Sequence, residues 1–361
     1  MSYLSKIETF LPQHKLSPES FVAWAEPFFA HKDSVRKLSF LAKVSGIDQK
    51  YTAIPDFLTT PEKSLLYNHP DRRLPSTGER MGVFMPHALE LAYGAAIKIF
   101  ENSDVLQTEI THIITVSCTG LVAPGLEIEL SNRLNLSANV QRSAVNFMGC
   151  YAAFHAIKQA HYICGAQPES KVLIVAVELC SLHFRNCDSA DNLLSSILFS
   201  DGAAAVLVTD QTPTNSHLQA IDFSSVLIQE GKNDMAWEVG DAGFQMQLKN
   251  QIPDHIQNNI RGVFDALLAK NALTPAQICA YAIHPGGKNI LQGFLKALGR
   301  NENDLKESFE TLRDYGNMSS VSVLFVLKSI LDNPILEGPV YSAAFGPGLS
   351  VESGLFLKSK S

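Results

Sequence analysis

At 361 residues the chain exceeds the roughly 250–300 at which a single hydrophobic core stops growing, so two domains or two fused halves are expected. Apolar residues make up 46% and charged residues 18%, a balance that excludes a disordered chain. A formal net charge of −7 without a long Lys/Arg run excludes a nucleic-acid binder, so any phosphate-bearing ligand must meet a local basic patch.

The first eleven residues carry neither the basic region nor the apolar stretch of a signal peptide, and later apolar runs are broken by charges such as Lys328. A cytoplasmic, non-membrane protein is expected. Six cysteines are too sparse for a disulfide framework and have no zinc-like spacing, so they are expected to be free thiols.

Residues up to about Asp104 read as irregular and are expected to cap a core. The apolar strand His112 to Ser117 then runs into Cys118-Thr119-Gly120, followed by a helix near Leu126 to Leu134. After Met148-Gly149-Cys150 come a helix from Tyr151 to Ile163, a buried strand from Lys171 to Leu179 and a strand from Ala203 to Thr209. The second half repeats this order. Strand Cys279 to Ile283 ends in His284-Pro285-Gly286-Gly287, a helix spans about Asn289 to Leu298, and Tyr315-Gly316-Asn317 opens the apolar helix Ser319 to Leu331. Strands Val340 to Phe345 and Val351 to Lys358 close it around Gly346-Pro347-Gly348. Val172 follows Cys150 by 22 positions and Val340 follows Asn317 by 23, which points to a duplicated α/β unit.

A pseudo-twofold axis between such halves brings equivalent positions together, Cys150 opposite Asn317 and Cys118 opposite His284. Cys150 opens a helix, where the helix dipole and free N–H groups favour thiolate. It is a candidate nucleophile, although an isolated cysteine on an apolar helix is more often inert core. His284 is a candidate partner in a thiolate–imidazolium pair, against the alternative of a structural histidine. Asn317 is a candidate oxyanion donor or an ordinary helix cap. Together they suit decarboxylative Claisen condensation, with His284 and Asn317 stabilising a thioester enolate and no metal required.

At these residues the chain resembles the chalcone synthase-like, type III polyketide synthase family. The resemblance rests on Ser76-Thr77-Gly78-Glu79-Arg80-Met81, Thr111 through Gly125, Met148-Gly149-Cys150, Phe199-Ser200-Asp201-Gly202-Ala203-Ala204, His284-Pro285-Gly286-Gly287, Tyr315-Gly316-Asn317-Met318-Ser319-Ser320 and Phe345-Gly346-Pro347-Gly348-Leu349. It implies an α/β chain of thiolase-like fold with a duplicated αβαβα five-layer core. Residues 1–215 would form the half carrying the nucleophilic cysteine, with an N-terminal capping region, and residues 216–361 the half carrying His and Asn.

The resemblance also implies a homodimer that loads a starter acyl-CoA on Cys150, extends it with malonyl-CoA, and releases a cyclised pyrone, resorcinol or phloroglucinol. CoA thioesters would be substrates and no cofactor would be needed. Phe199 matches the phenylalanine between CoA tunnel and cavity, Ser319 a cavity-lining position, and Gly346, Pro347 and Gly348 the C-terminal active-site loop. Cys118 and His183 stand where plant chalcone synthases carry threonines. Cysteine at the first of these positions occurs in some bacterial members, and the chain is read as bacterial-type. Lys37 matches a CoA-contacting lysine; Phe40 stands where the family often has arginine, and Lys43 lies one residue out of register. A ketoacyl-ACP synthase III-type condensing enzyme is the alternative, disfavoured by Tyr-Gly-Asn-Met-Ser-Ser.

Overall fold

The computed structural model describes residues 1–60, 63–68 and 73–360. Its first half runs β1 (Ser2–Phe10), β2 (His14–Leu16), α1 (Pro18–Ala25), α2 (Lys32–Val44), β3 (Lys50–Thr52), α3 (Thr77–Glu101), β4 (His112–Ser117), α4 (Leu126–Arg133), β5 (Gln141–Asn146), α5 (Ala152–Ala166), β6 (Lys171–Leu179), α6 (Ala190–Leu198) and β7 (Asp201–Thr209). The second runs β8 (His217–Leu227), β9 (Met235–Gly240), β10 (Gly243–Leu248), α7 (Ile252–Lys270), β11 (Ala280–Ile283), α8 (Lys288–Leu298), α9 (Lys306–Tyr315), α10 (Ser322–Asp332), β12 (Gly338–Gly346) and β13 (Ser350–Ser359).

Nine strands pair in the order β11-β12-β13-β8-β1-β7-β6-β4-β5. Read outward from the β8–β1 junction, both halves have one pattern. β1 pairs antiparallel with β7, β7 antiparallel with β6, and β6 parallel with β4; β8 pairs antiparallel with β13, β13 antiparallel with β12, and β12 parallel with β11. The halves join where Ser2–Leu4 pair with Leu218–Ala220. The N-terminal segment is therefore not only a cap: β1 lies at the centre of the sheet, and only the segments from β2 to α3 cover it.

Three cores give the layering. The middle one packs α5 and α10 between the two half-sheets. The outer two pack α3 and α4 on the first half-sheet and α7 and α8 on the second. This is the αβαβα arrangement. Burial along nearly its whole length explains why α10 reads as apolar all round, whereas α5 buries one face and leaves Gln159 and Tyr162 exposed. Each large apolar side chain so removed from water contributes about 1.5–3 kcal/mol. The 25-residue α3 is long and apolar enough to cross a membrane, yet it packs on β1, β6 and β7. A capping box starts it, Ser76 accepting from Glu79 N while the Glu79 carboxylate accepts from Ser76 N.

Candidate active site

Two turns and two helix starts converge at one end of the middle layer. β4 delivers Cys118 and β11 delivers His284; Cys150 stands two residues ahead of α5, and Asn317 precedes the 3-10 turn Ser319–Val321 that leads into α10. Gly316 permits this last turn with φ of 69°. The extended backbone at Asn317 then bridges to Phe199: Asn317 N donates to Leu198 O at 2.9 Å and Ser200 N to Asn317 O at 2.9 Å.

Around the thiol the contacts are close. The Ser319 and Asn317 side chains face the Cys150 thiol closely enough to favour its ionised form. Asn317 Nδ2 donates to Gly286 O at 3.3 Å, and its Oδ1 accepts from Ser319 N at 2.9 Å, so the amide ties the histidine loop to the serine turn. Gly149 has φ of 81°, and a Cβ there would lie 2.2 Å from Pro347 Cδ. A Cβ on Gly346 would lie 2.5 Å from the Tyr151 ring and 3.4 Å from Cys150 N. The Gly346-Pro347-Gly348 turn therefore closes directly over the cysteine.

Electrostatics in this water-poor site are set by burial. It pushes the Cys150 thiol up to about 12, with the Ser319 and Asn317 side chains acting against it and the Glu178 charge adding to it. It pushes His284 down to about 3, and neither ring nitrogen has a partner among the described residues. Both shifts are toward the neutral forms, so burial works against the thiolate–imidazolium pair expected from the sequence.

Cys118, Cys150, Phe199, His183, Ser319 and Pro347 line one narrow cavity. Cys118 Sγ accepts from Gly149 N at 3.0 Å and lies 3.3 Å from Gly149 O. His183 is held neutral: it contacts Thr119 O through Nε2 at 2.8 Å, accepts from Phe244 N through Nδ1 at 3.1 Å, and burial pushes it down to about 3. Lys37 lines an outer groove with Arg36, Phe40 and Leu194. An adjoining groove shares Leu41, Leu194 and Asn250 and reaches Gly286, Gly287 and Lys288 beside the histidine loop. Lys43 is exposed on α2 and lines neither groove, because one helical residue turns it about 100° away.

Sequence reasoning missed three features. Glu178, fully buried at the end of β6, accepts from Cys118 N and Thr119 Oγ1 at 2.9 Å and from Ser320 Oγ, joining the two halves of the site. A single acid in the run Lys171–Leu179 was its signal. The hairpin β9–β10 carries Trp237, whose Nε1 donates to Cys118 O at 2.8 Å, and Phe244, stacked on His183 at 4.2 Å. Two alternating runs around Gly240-Asp241-Ala242-Gly243 signal such a hairpin. Lys50, which also lines the cavity, had no signal beyond its charge.

A duplicated αβαβα core with cysteine, histidine and asparagine at its pseudo-twofold centre defines the thiolase-fold condensing enzymes. Residues 8–212 match the family of chalcone and stilbene synthases, N-terminal domain, and residues 221–360 its C-terminal domain. The chain belongs to this family, the type III polyketide synthases. It is 33% identical over 77% of its length to Polyketide synthase 37 of Dictyostelium discoideum, of which it spans only 10%. It is 31% identical to the alpha-pyrone synthesis polyketide synthase-like Pks18 of Mycobacterium tuberculosis, covering 79% of this chain and 75% of that one. The solved structure of PKS-I from the brown alga Ectocarpus siliculosus superposes with a TM-score of 0.93 at 25% identity, covering 99% of this chain and 98% of that one.

Proposed function

We propose that the protein loads a starter acyl group from its CoA thioester onto Cys150, extends it by decarboxylative condensation with malonyl-CoA, and releases a cyclised pyrone, resorcinol or phloroglucinol. The observation that carries this reading is the His284 imidazole. Its two buried nitrogens lack partners among the described residues, and it stands on the loop that the Asn317 amide contacts, while the same amide faces the Cys150 thiol. Orphaned buried donors are costly unless a ligand uses them.

In loading, the Cys150 sulfur bonds to the thioester carbonyl carbon, the carbon–sulfur bond to CoA breaks, and the thiol proton passes through His284 to the departing CoA sulfur. In extension, the malonyl carbon–carbon bond breaks and CO2 leaves. The electron pair forms an enolate whose oxygen accepts from His284 N–H and Asn317 Nδ2–H. The enolate carbon bonds to the acyl carbonyl carbon, and Cys150 leaves as thiolate, ready to take the lengthened chain from CoA. Each preorganised donor of this type is worth about 10²–10³ in rate. The reading assigns no step to a metal or further cofactor.

Grooves lined by Arg36, Lys37, Lys249 and Lys288 support entry of the CoA phosphates on that side. A cytoplasmic homodimer completes the proposal. The edge strand β5 is mostly exposed, as are Leu121 and Val122, whereas the opposite edge, β11, is buried. An open edge of this kind pairs readily with a second copy.

The test is incubation with malonyl-CoA and a panel of aliphatic and aromatic acyl-CoA starters, following CO2 release and product mass. Several condensations without carrier protein are expected, and none with Cys150→Ala. Chain extension retained in that variant, or a strict need for carrier protein, refutes the reading.

A further inference from the structure

Among the described residues lining the cavity, Lys50 is the only lysine or arginine, and the chemistry above gives it no task. It opens β3, is 5% exposed, and donates from Nζ to Ser196 O at 2.5 Å. The same Nζ lies 4.5 Å from the centroid of the Phe21 ring. Both Ser196 and Phe21 are lining residues, so the nitrogen sits in the wall between them.

An ammonium carries three donors, and among the described residues one of them is used in a hydrogen bond. Among the described residues no carboxylate lies within ion-pair distance of it. Asp201 is the acid that acts on it most, but that carboxylate already accepts from Ala53 N, Ser181 N and Ser181 Oγ. Burial pushes Lys50 down to about 7, with Asp201 and then Cys180 pulling upward, so the site is short of acceptors for this group.

The surroundings say what kind of acceptor fits. Ser181, Asn192 and Ser195 add polar groups to the lining, whereas Met235, Trp237, Phe244 and Met246 supply apolar surface. A chain growing on Cys150 gains one carbonyl oxygen with each extension, and each oxygen needs a donor once water is excluded. The starter's hydrocarbon part needs none. We infer that Lys50 is a chain-positioning residue, its side-chain nitrogen donating to a carbonyl oxygen of the growing poly-β-ketone chain and holding that chain for further extension against early release. Protonated or neutral, the nitrogen keeps N–H donors.

The inference rests on the polyketide synthase reading, and the experiment separates the two. Wild type, Lys50→Met, Lys50→Gln and Lys50→Arg receive one acyl-CoA starter and malonyl-CoA, with folding checked by circular dichroism. Two quantities are read: CO2 released in the first condensation, and the mass distribution of released products. For Met, the ratio of longest to shorter products is expected to fall about ten-fold, the worth of one charge-assisted hydrogen bond. The KM for starter and the first condensation should stay within about two-fold, and Arg should restore the wild-type distribution by keeping its donors. A wild type that releases no CO2 refutes the polyketide reading itself. Wild-type distributions in both Met and Gln overturn the role of Lys50 alone, as does a wild type that stops after one condensation. Failure of both variants to fold assigns the lysine to the scaffold and overturns it as well.

Discussion

Glu178→Gln and Glu178→Ala separate the two effects of one carboxylate. Glu178 is fully buried, Oε2 accepting from Cys118 N and Thr119 Oγ1 and Oε1 from Ser320 Oγ. Glutamine can keep its oxygen on Cys118 N and Thr119 while Ser320 turns its hydroxyl to accept from the new amide. Three charge-assisted bonds then become neutral ones, a loss of about 1 kcal/mol each, offset by the removed desolvation of a buried anion. Net stability should change by less than about 2 kcal/mol. Alanine leaves Cys118 N orphaned and opens a void, costing about 3–5 kcal/mol and lowering Tm by about 5 °C in a chain of this size. Reactivity should move independently. The Glu178 charge is one of the causes raising the Cys150 thiol, so glutamine should make that thiol more acidic and speed its alkylation by iodoacetamide at fixed pH. Differential scanning fluorimetry and alkylation of Cys150 followed by peptide mass spectrometry read the two effects. An unchanged alkylation rate in the glutamine variant refutes the electrostatic argument, and an alanine variant as stable as wild type refutes the structural one.

Gly149→Ala places a Cβ 2.2 Å from Pro347 Cδ at a φ of 81°. Strain of about 1–2 kcal/mol and displacement of the Gly346–Gly348 turn should cost about 10²-fold in kcat, measured as CO2 release, with little change in fold; near-wild-type turnover would show that the turn does not position Cys150. Stability should fall on acidification. His183 and His284 are pushed by burial from 6.5 to about 3, so between these values the unfolded chain binds protons that the folded one does not. Each histidine then removes about 1.4 kcal/mol per pH unit as pH falls from 6.5 toward 3, and the contribution is fully present above 6.5. Urea unfolding at pH 7, 6 and 5 measures the slope, and His183→Asn should reduce it by about one histidine's worth; an unchanged slope would mean that His183 is not buried neutral.

The sequence revealed elements whose signal is local. The run Lys171–Leu179 is buried on both faces and reads as a strand without help, and the helices at Leu126 and Asn289 are within about two residues of their observed bounds. β1 was hidden because its place depends on partners about 200 residues away, β7 on one side and β8 on the other. Its mixed sequence, Ser-Tyr-Leu-Ser-Lys-Ile-Glu-Thr-Phe, lacks the continuous apolar run that marked β6 and β7. In the site, the duplication made Cys150, His284 and Asn317 legible as a set. The opposing effect of burial on the Cys150 thiol and the His284 imidazole was not, since motif and helix position give the sign of one contribution whereas burial depends on the whole packing. Lys50 was invisible for the same reason: in Asp-Gln-Lys-Tyr it reads as surface charge, and only packing against Phe21 and Ser196 encloses it.

The two halves share a topology but not a chemistry. The position after β4 is a thiol and its equivalent after β11 an imidazole; the position before α5 is a thiol and its equivalent before α10 an amide. One half therefore presents sulfur, able to bond to carbon, and the other N–H donors, able to hold oxygen. Repeated condensation needs both at a constant separation in every cycle, although the chain between them grows. In this fold α5 and α10 both sit in the middle core between the half-sheets, and that core sets their separation. A close-packed layer resists change more than a loop does, so core volume at Ala153, Ala156 or Leu324 becomes a determinant of catalytic geometry without any of these residues touching substrate.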